Sequence, residues 1–266
     1  MNNRSVKRWM IATLISCLLV ACATSPMGRR QLLLMPAAQM DQMGLTAYSE
    51  MKAQVPLSQN RAQISHVQCI SDALTATLAD GQSWEINLFE DGSANAFALP
   101  GGFMGVHSGL LNVARNQHQL AAVIGHEIGH VLAQHSNERV SLEMASKTGM
   151  QIVQKMSGEA GPEKQLLMGA LGLGTRFGVT LPFSRKHESE ADLIGLELMA
   201  KAGFDPRESV TLWQNMAAAG GKAPPEFMST HPSSDTRISN LSDYLSTAMP
   251  LYQQARTAGK RPACSG

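Results

Sequence analysis

Two histidines and a glutamate lie within five residues of each other, in the sequence His126-Glu127-Ile128-Gly129-His130. Each residue of an α-helix turns by about 100°, so side chains four positions apart lie only about 40° from each other on one face. Two imidazole rings in that arrangement can bind one metal ion, and this spacing favours zinc. The carboxylate of Glu127 would then lie beside the metal and accept a proton from a water molecule. The motif therefore predicts a zinc hydrolase.

The residues around the motif indicate that it lies on a packed helix. Apolar side chains cluster on the half of the helical wheel opposite His126: Ala121, Ile124, Ile128, Val131 and Leu132. Gly125 and Gly129 form a strip without side chains. Because glycine costs about 1 kcal/mol relative to alanine in a helix, we expect another backbone to pass close to this strip. The alternative is an exposed amphipathic helix that binds no metal, so the prediction requires a third ligand.

A third ligand does not follow directly after the motif. A histidine six residues after the second one, as in the metzincins, is absent because that position is Ser136. His135 is out of register with the two histidines of the motif, and we interpret it as a surface or helix-end histidine. The third ligand must therefore come from further along the chain.

The segment from Phe183 to Asp192, with the sequence F-S-R-K-H-E-S-E-A-D, opens a second helical stretch and contains three acidic residues. Together with H-E-x-x-H, its S-R-x-x-E-x-E-A-D pattern resembles the zinc endopeptidase family that contains the CAAX prenyl proteases, the HtpX-like heat-shock proteases and a mitochondrial inner-membrane stress protease. The resemblance covers about Asn95 to Arg237 and implies one zinc ion per chain. It also implies that Glu188, the first glutamate of E-x-x-A-D, is the third ligand.

The other two acidic residues of this segment have different predicted roles. Asp192 lies four positions after Glu188 and on the same helical face, so it can accept a hydrogen bond from a ligating histidine. Glu190 points about 200° away from Glu188. We interpret Glu190 as a solvated residue or as a structural salt-bridge residue.

An extended segment before the motif resembles the substrate-binding strand of the family. Asn95, Ala96, Phe97 and Ala98 follow the alternating residues 84–88 and a turn. As the edge strand over the zinc cleft, they would bind an extended polypeptide through main-chain hydrogen bonds. The alternative is an ordinary core hairpin, which the same residues would form.

A histidine in the C-terminal part of the chain extends the resemblance. His231 matches a family element that brings a histidine near the metal. There it would stabilise the oxyanion of the tetrahedral intermediate, or occupy the open coordination position and keep the enzyme latent. Arg237 would orient His231 or pair with Asp192. The alternative is a helix start, with Ser233 or Ser234 as its N-cap and Arg237 on the surface.

The amino terminus predicts export and a lipid anchor. The apolar run from Trp9 to Ala21 follows three basic residues and is too short to span a bilayer, so residues 1–21 are predicted to be a signal peptide. The sequence Leu-Val-Ala-Cys22 resembles the lipobox of bacterial lipoproteins, in which the cysteine is lipidated. Because Ala23 and not aspartate follows, the resemblance implies anchoring on the periplasmic side of the outer membrane, with the inner membrane less favoured. The alternative is ordinary secretory cleavage near Ala21 or Ala23.

Of the four cysteines, Cys17 lies in the predicted signal peptide and Cys22 in the lipobox-like sequence, and the other two fit an oxidising compartment. Cys69 and Cys264 would form a disulfide worth about 4–5 kcal/mol in the chain-entropy model, or Cys69 would be a free buried thiol. Removing residues 1–21 from the 266 leaves 245 and changes the formal net charge from +1 to −2, because three basic residues are lost. A nearly neutral chain gives no support for nucleic-acid binding.

The expected architecture is α+β, a mainly helical zincin-like metalloprotease domain with a small β-sheet beside the H-E-x-x-H helix. A tether over residues 22–34 would precede a single zinc metallopeptidase domain over residues 35–266. Periodicity predicts helices at about 36–54, 61–79, 117–136 and onward to about 156, and strands from about 83 to 107. The stretch 157–182, rich in Gly, Leu and Met, is predicted to be a buried or cleft-lining helix, with a mobile flap or a membrane-leaning segment as the alternative.

These features together predict a zinc metalloendopeptidase of the bacterial envelope that acts in protein quality control. Its expected partners are unfolded or misassembled envelope polypeptides and, through the lipid anchor, a membrane. The first alternative is a mostly latent chaperone-like or binding lipoprotein whose zinc site is blocked by His231. A zinc hydrolase that acts on small amides is the second alternative.

Overall fold

The computed structural model describes residues 22–79, 81–145, 183–219, 226–231 and 235–264, which form helices and two small sheets. The helices are α1 (Ala37–Gln54), α2 (Arg61–Thr75), α3 (Gln117–Leu132), α4 (His135–Ala145), α5 (Arg185–Ala202), α6 (Arg207–Ala219), α7 (Glu226–Thr230) and α8 (Asp235–Thr257). The strands are β1 (Cys22–Thr24), β2 (Arg30–Leu32), β3 (Glu85–Phe89), β4 (Ala96–Leu99) and β5 (Phe103–His107), and a 3-10 helix spans Ser108–Asn112. The predicted α+β, mainly helical architecture is confirmed.

Helix α3 carries the H-E-x-x-H motif and packs against α5, α6, α2 and β4. It begins after Asn116, whose side chain accepts hydrogen bonds from two backbone N–H groups of the first turn. Three residues of its predicted apolar stripe, Ala121, Ile124 and Ile128, are fully inaccessible to solvent, whereas Val131 and Leu132 near its end are partly buried. The helix ends at Leu132, earlier than predicted, because the chain turns at Gln134 with a φ of 51° before α4 begins.

Helices α3 and α5 approach so closely that only glycine fits between them. A Cβ atom on Gly129 would lie 2.8 Å from the carbonyl oxygen of Ala191. A Cβ atom on Gly195 of α5 would lie 2.7 Å from the backbone nitrogen of His126. The close approach of another backbone, predicted from the bare strip on α3, is therefore confirmed. It brings the histidines of α3 opposite the first turns of α5.

A three-stranded sheet packs beside α3, with the strand order β3-β5-β4. Strand β3 is parallel to β5, and β4 is antiparallel to β5, so β4 is an edge strand of this sheet. Gly101 and Gly102 have φ values of 86° and 82°, which allow the chain to turn tightly between β4 and β5. All three strands lie within the predicted range 83–107.

The segment predicted to be a tether forms a hairpin that packs on the rest of the domain. Strands β1 and β2 pair in antiparallel orientation over residues 22–32. The side-chain amide of Gln31 donates to the carbonyl oxygen of Ala133 at 2.6 Å. Ion pairs from Arg29, described below, also hold the hairpin against α4 and α5. Residues 22–34 therefore differ from the predicted tether, because paired backbone and buried charges fix them to the domain.

A disulfide between Cys69 and Cys264 joins the C-terminal tail to α2, with 5.6 Å between the two Cα atoms. The tail also contacts the start of α3. There the side chain of Gln117 donates to the carbonyl oxygen of Pro262 at 3.0 Å and accepts from the backbone N–H of Cys264 at 2.8 Å. Of the two predicted states of Cys69, the structure contains the bonded one.

Four predictions fall wholly or partly on residues outside the described ranges: the signal peptide over 1–21, the helix from 146 to about 156, the helix over 157–182, and the N-cap at Ser233 or Ser234. Within the part of the chain that the structure describes, no helix is long and apolar enough to cross a membrane.

Candidate metal centre

Four buried side chains converge between α3, α5 and the end of α7. His126 and His130 come from α3, Glu188 from the first turn of α5, and His231 from the residue after α7. One donor atom from each residue lies within 4.8 Å of the donor atoms of the other three. All four residues are at most 3 % exposed. The three ligands predicted from the motifs are thus brought together, and His231 joins them.

The distances between the donor atoms match a tetrahedral metal site. Nε2 of His126 lies 3.0 Å from Nε2 of His130 and 3.2 Å from Nδ1 of His231. Carboxylate oxygens of Glu188 lie 3.5 Å, 3.5 Å and 3.2 Å from those same three nitrogens. Bonds of about 2.0–2.1 Å to a tetrahedral zinc ion place its ligands about 3.3 Å apart, so these residues fit zinc. Magnesium and calcium, which prefer oxygen ligands, suit this mostly nitrogen set poorly.

The protonation states of these side chains also suit a metal. Burial, with the neighbouring histidines, lowers the pKa of His130 well below its ordinary value. Burial would raise the pKa of Glu188, but the charges of His231 and Arg237 outweigh that effect and lower the pKa below its ordinary value. A neutral imidazole and an ionised carboxylate are the forms that bind a metal ion.

Asp192 and Arg237 support two of the proposed ligands. Oδ1 of Asp192 lies 2.9 Å from Nδ1 of His126. Arg237 donates to Asp192 through two nitrogens, at 2.7 Å and 2.6 Å, and its third nitrogen lies 2.7 Å from Oε2 of Glu188. Burial would raise the pKa of Asp192, but the charge of Arg237 and hydrogen bonds from His126 and Arg237 outweigh it and lower the pKa to about 2.

The alternative that places Arg237 on the surface is wrong. Arg237 is only 3 % exposed, and its guanidinium lies 3.9 Å from the ring centre of Trp213. The guanidinium also approaches the carbonyl oxygen of His231 at 3.4 Å. Arg237 therefore pairs with Asp192 and contacts the backbone of His231 at the same time, so both of its predicted contacts occur.

Glu127 lies between the edge strand and His231. Its Oε2 accepts a hydrogen bond from the backbone N–H of Ala98 at 3.2 Å, and its Oε1 lies 3.4 Å from Nε2 of His231. Burial raises the pKa of Glu127 above its ordinary value, although the charges of His231 and His126 oppose the shift. One oxygen is thus anchored to β4 while the other faces the metal side of the centre.

The predicted substrate strand lies beside Glu127 at the edge of the sheet. The backbone N–H of His107 donates to the carbonyl oxygen of Asn95 at 3.0 Å. Because paired residues alternate along an antiparallel ladder, the backbone groups of Ala96 and Ala98 face away from β5, towards the edge of β4 that pairs with no other strand among the described residues. Their carbonyl oxygens point to that edge, and both alanines are buried.

Phe97 points to the opposite face of this strand. Its ring packs in the core, 5.8 Å from the ring centre of Phe89 and 6.3 Å from that of Tyr48. Asn95 is buried as well, and its side chain accepts from the backbone N–H of Ala96 at 2.9 Å. The side chains of Phe97 and Asn95 are therefore buried in the protein, while the backbone groups of Ala96 and Ala98 face the edge of β4 opposite β5.

His231 is held between two phenylalanine rings that motif analysis did not identify. The ring centre of Phe227 lies 4.4 Å from that of His231 with 19° between the planes, and Phe183 stacks at 5.3 Å with 25°. Phe183 also lies 4.0 Å from the ring centre of His130. Burial lowers the pKa of His231, but the charges of Glu188 and Glu127 outweigh it and raise the pKa above its ordinary value.

Two polar residues behind the centre are more buried than predicted. His135 is the first residue of α4, as the helix-end interpretation requires, but it is fully inaccessible, so the surface interpretation is wrong. The turn at Gln134 brings it back towards α3. Glu190 is 5 % exposed and pairs with Arg29 at 2.8 Å, so it is a structural salt-bridge residue and not a solvated one.

The fold and this set of donors are typical of the zincin class of metallopeptidases. The chain belongs to peptidase family M48, whose model matches residues 58–245. Zinc is the metal of that family, and the buried donor set fits it.

Similar proteins include both mitochondrial and bacterial members. The chain is 40 % identical over 167 residues to the mitochondrial metalloendopeptidase OMA1 of Schizosaccharomyces pombe, covering 62 % of this chain and 48 % of that protein. It is 34 % identical over 179 residues to the mitochondrial metalloendopeptidase OMA1 of Homo sapiens, covering 64 % and 34 %. It is 26 % identical over 272 residues to the beta-barrel assembly-enhancing protease of Escherichia coli strain K12, covering 95 % and 55 %. The chain thus spans about a third to about half of the length of these relatives.

Proposed function

We propose that the protein is a zinc-dependent endopeptidase of the bacterial envelope that cleaves unfolded or misassembled envelope polypeptides. The observation that carries this proposal is the buried group of His126, His130 and Glu188, with Glu127 beside it, in a chain of peptidase family M48. In the proposal the first three residues hold one zinc ion, and Glu127 is the general base.

The chain's own residues would carry the proton through the reaction. Zinc, when bound, supplies a Lewis acid that polarises the scissile carbonyl and makes a water molecule more acidic. Glu127 accepts the proton from that water on Oε1 and later delivers it to the leaving amine. The hydrogen bond from Ala98 to its Oε2 holds the carboxylate in one orientation while Oε1 exchanges the proton.

The edge of β4 is the proposed binding site for the polypeptide substrate. An extended chain can add to this edge by donating its N–H groups to the carbonyl oxygens of Ala96 and Ala98. Because Ala98 also contacts Glu127, a peptide bound there has its backbone beside the general base. Main-chain recognition of this kind requires an extended substrate, which an unfolded protein offers and a folded one does not.

Features of the sequence, the disulfide and one relative support an envelope location. Cys22 stands in a lipobox-like sequence after a signal-like segment. The disulfide between Cys69 and Cys264 suits an oxidising compartment. The Escherichia coli relative is named for β-barrel assembly, whereas the OMA1 relatives carry mitochondrial names. We expect Cys22→Ser to move the protein from the membrane fraction to the soluble periplasmic fraction, and continued membrane association would contradict the proposed anchor.

A second candidate function is a mostly latent state, and the position of His231 favours it. Its Nδ1 lies as close to His126 and Glu188 as the donors of the proposed ligands lie to one another. As a fourth ligand it would occupy the position that water and substrate need. The stacked rings of Phe183 and Phe227 would favour this closed arrangement.

One experiment separates the two candidate functions. The zinc-loaded protein is incubated with a fluorescently labelled unfolded polypeptide, beside Glu127→Gln, His231→Ala and the exposed control Glu90→Gln. We expect the wild-type protein and the control to cleave, and Glu127→Gln to bind zinc without cleaving. Full activity of Glu127→Gln would contradict the proposed function. Faster cleavage by His231→Ala would support latency, whereas slower cleavage would support a role of His231 on the oxyanion.

A further inference from the structure

His130 is supported by another histidine, whereas His126 is supported by a carboxylate. Nδ1 of His130 lies 2.9 Å from Nδ1 of His135. The other ring nitrogen of His135, Nε2, lies 3.1 Å from Oε2 of Glu190. On the other histidine of the motif, Nδ1 of His126 lies 2.9 Å from Oδ1 of Asp192, with no residue between them. His135 therefore extends the contact of His130 to a more distant carboxylate.

The direction of each hydrogen bond follows from metal binding. A neutral histidine that binds a metal through Nε2 carries its proton on Nδ1, so His130 donates to Nδ1 of His135. Nδ1 of His135 must then lack a proton, and the proton of this ring lies on Nε2. From there His135 donates to Glu190, whose ionised carboxylate only accepts. One arrangement of protons satisfies all three residues.

The N-terminal hairpin holds Glu190 in place. Nε of Arg29 donates to Oε2 of Glu190 at 2.8 Å, and the hydroxyl of Ser25 donates to Oε1. The two terminal nitrogens of Arg29 donate to the two oxygens of Glu138 at 2.7 Å and 2.6 Å. Glu138 lies on α4, the helix that begins with His135. Through Arg29, the hairpin thus links Glu190, the carboxylate that bonds His135, to α4, the helix that begins with His135.

We propose that His135 is a positioning residue that fixes the ring orientation and tautomer of His130, and that Glu190 and the hairpin complete this support. The inference rests on the proposed role of His130 as a metal ligand. Removal of the outer partner of a ligating histidine typically costs about 10–100-fold in metal affinity. A histidine that only filled space would show no such effect.

Two substitutions separate the hydrogen bond of His135 from its packing. His135→Phe keeps a ring that can stack on His187, whose ring centre lies 4.4 Å away, but it removes both nitrogens. His135→Asn loses the ring but places an amide oxygen near the position of Nδ1, where it can accept from His130. His107→Phe is the matched control, because His107 is similarly buried but bonds to Ser93 at 2.8 Å, away from the metal centre.

The readout is zinc affinity of the full-length protein, measured by competition with a chromogenic chelator. We expect His135→Phe to bind zinc about 10–100-fold more weakly than the wild type. We expect His135→Asn to recover most of that loss and His107→Phe to remain close to the wild type. The visible spectrum of the cobalt-loaded protein should change in His135→Phe and much less in His135→Asn. Unchanged zinc affinity in His135→Phe, or equal losses in all three variants, would overturn the inference.

A measurement on the wild-type protein covers the case in which His135→Phe does not fold. Long-range ¹H–¹⁵N correlation spectra of the zinc-loaded protein report which nitrogen of each histidine carries a proton. A proton on Nε2 of His135 and none on its Nδ1 supports the inference, and the reverse overturns it. Wild-type affinity in His130→Ala would instead overturn the proposed ligand set, so the two failures are distinguishable.

Discussion

Replacing Gly195 with alanine should force α3 and α5 apart and weaken zinc binding. The new Cβ atom would lie 2.7 Å from the backbone nitrogen of His126, whereas ordinary contact begins at 3.4 Å. The atoms that it meets belong to a backbone, which cannot rotate away as a flexible side chain can. The two helices must therefore separate locally by about the difference, roughly 0.7 Å.

Two opposing effects determine the change in stability. Alanine favours a helix by about 1 kcal/mol relative to glycine. Overpacking of a well-packed interior costs about 1–3 kcal/mol, and contact with rigid backbone places Gly195→Ala at or above the upper end of that range. Overpacking outweighs helix propensity, so we expect the free energy of unfolding to fall by about 2 kcal/mol.

The same displacement decides the effect on the metal. His126 and His130 lie on one helix of the pair and Glu188 on the other. Metal–ligand distances tolerate deviations of only about 0.2 Å, and a separation of roughly 0.7 Å between the helices exceeds that. We therefore expect zinc affinity to fall at least about tenfold, which is the scale of a disturbed ligand environment.

Urea unfolding of the metal-free protein and zinc competition with a chelator measure the two effects. Gly92→Ala is the control, because Gly92 lies outside the helices and strands and a Cβ atom there meets nothing within 4 Å. We expect that control to change stability by less than about 0.5 kcal/mol. A Gly195→Ala protein that is more stable than the wild type and binds zinc equally well would refute the close-packing explanation.

Three other changes have measurable consequences. Replacing Cys69 and Cys264 together with serine should lower the free energy of unfolding by up to about 5 kcal/mol in urea, because their bond closes a loop across 195 positions; an unchanged value would contradict this estimate. Arg29→Met should lower the free energy of unfolding by about 2 kcal/mol, because the largely buried carboxylates of Glu138 and Glu190 lose their partner. Arg30→Met, at the exposed neighbouring position, should have little effect. Equal losses in the two variants would argue against a stabilising role of these ion pairs. Zinc at about a thousand times its dissociation constant should stabilise the protein by about 4 kcal/mol, measured by thermal unfolding with and without a chelator. Glu127→Gln should keep this stabilisation, because Glu127 is not a proposed ligand. Loss of the stabilisation in Glu127→Gln would indicate that Glu127 binds the metal.

Local features of the chain were sufficient to predict most of the metal centre. His126 and His130 are four residues apart on one helix, and Glu188 and Asp192 are four residues apart on another, so each pair shares one helical face. Glycine at Gly129 predicted that a second backbone would pass close to α3, which is how the two helices meet. Helix geometry alone predicts the shared faces and the close backbone, whereas the choice of Glu188 as third ligand came from the family resemblance.

Predictions failed where the chain changes direction. The register of His135 was extrapolated along a helix that ends at Leu132, and the turn at Gln134 returns its ring to His130. A tether is predicted over residues 22–34, whereas the structure has a hairpin there. Their attachment depends on buried charge pairs with Glu138 and Glu190, which are distant in sequence.

By itself the sequence determined which chemical groups lie on each helix: two imidazoles and the proposed base on one, and on another two carboxylates, of which the family resemblance makes Glu188 the proposed ligand. Only the tertiary structure decided how His231 meets them, although it stands 105 positions from His126. It also decided that His135 and the hairpin lie behind His130. The physical reason is that helix periodicity is a local property, whereas contacts between helices, turns and loops depend on how the whole chain packs.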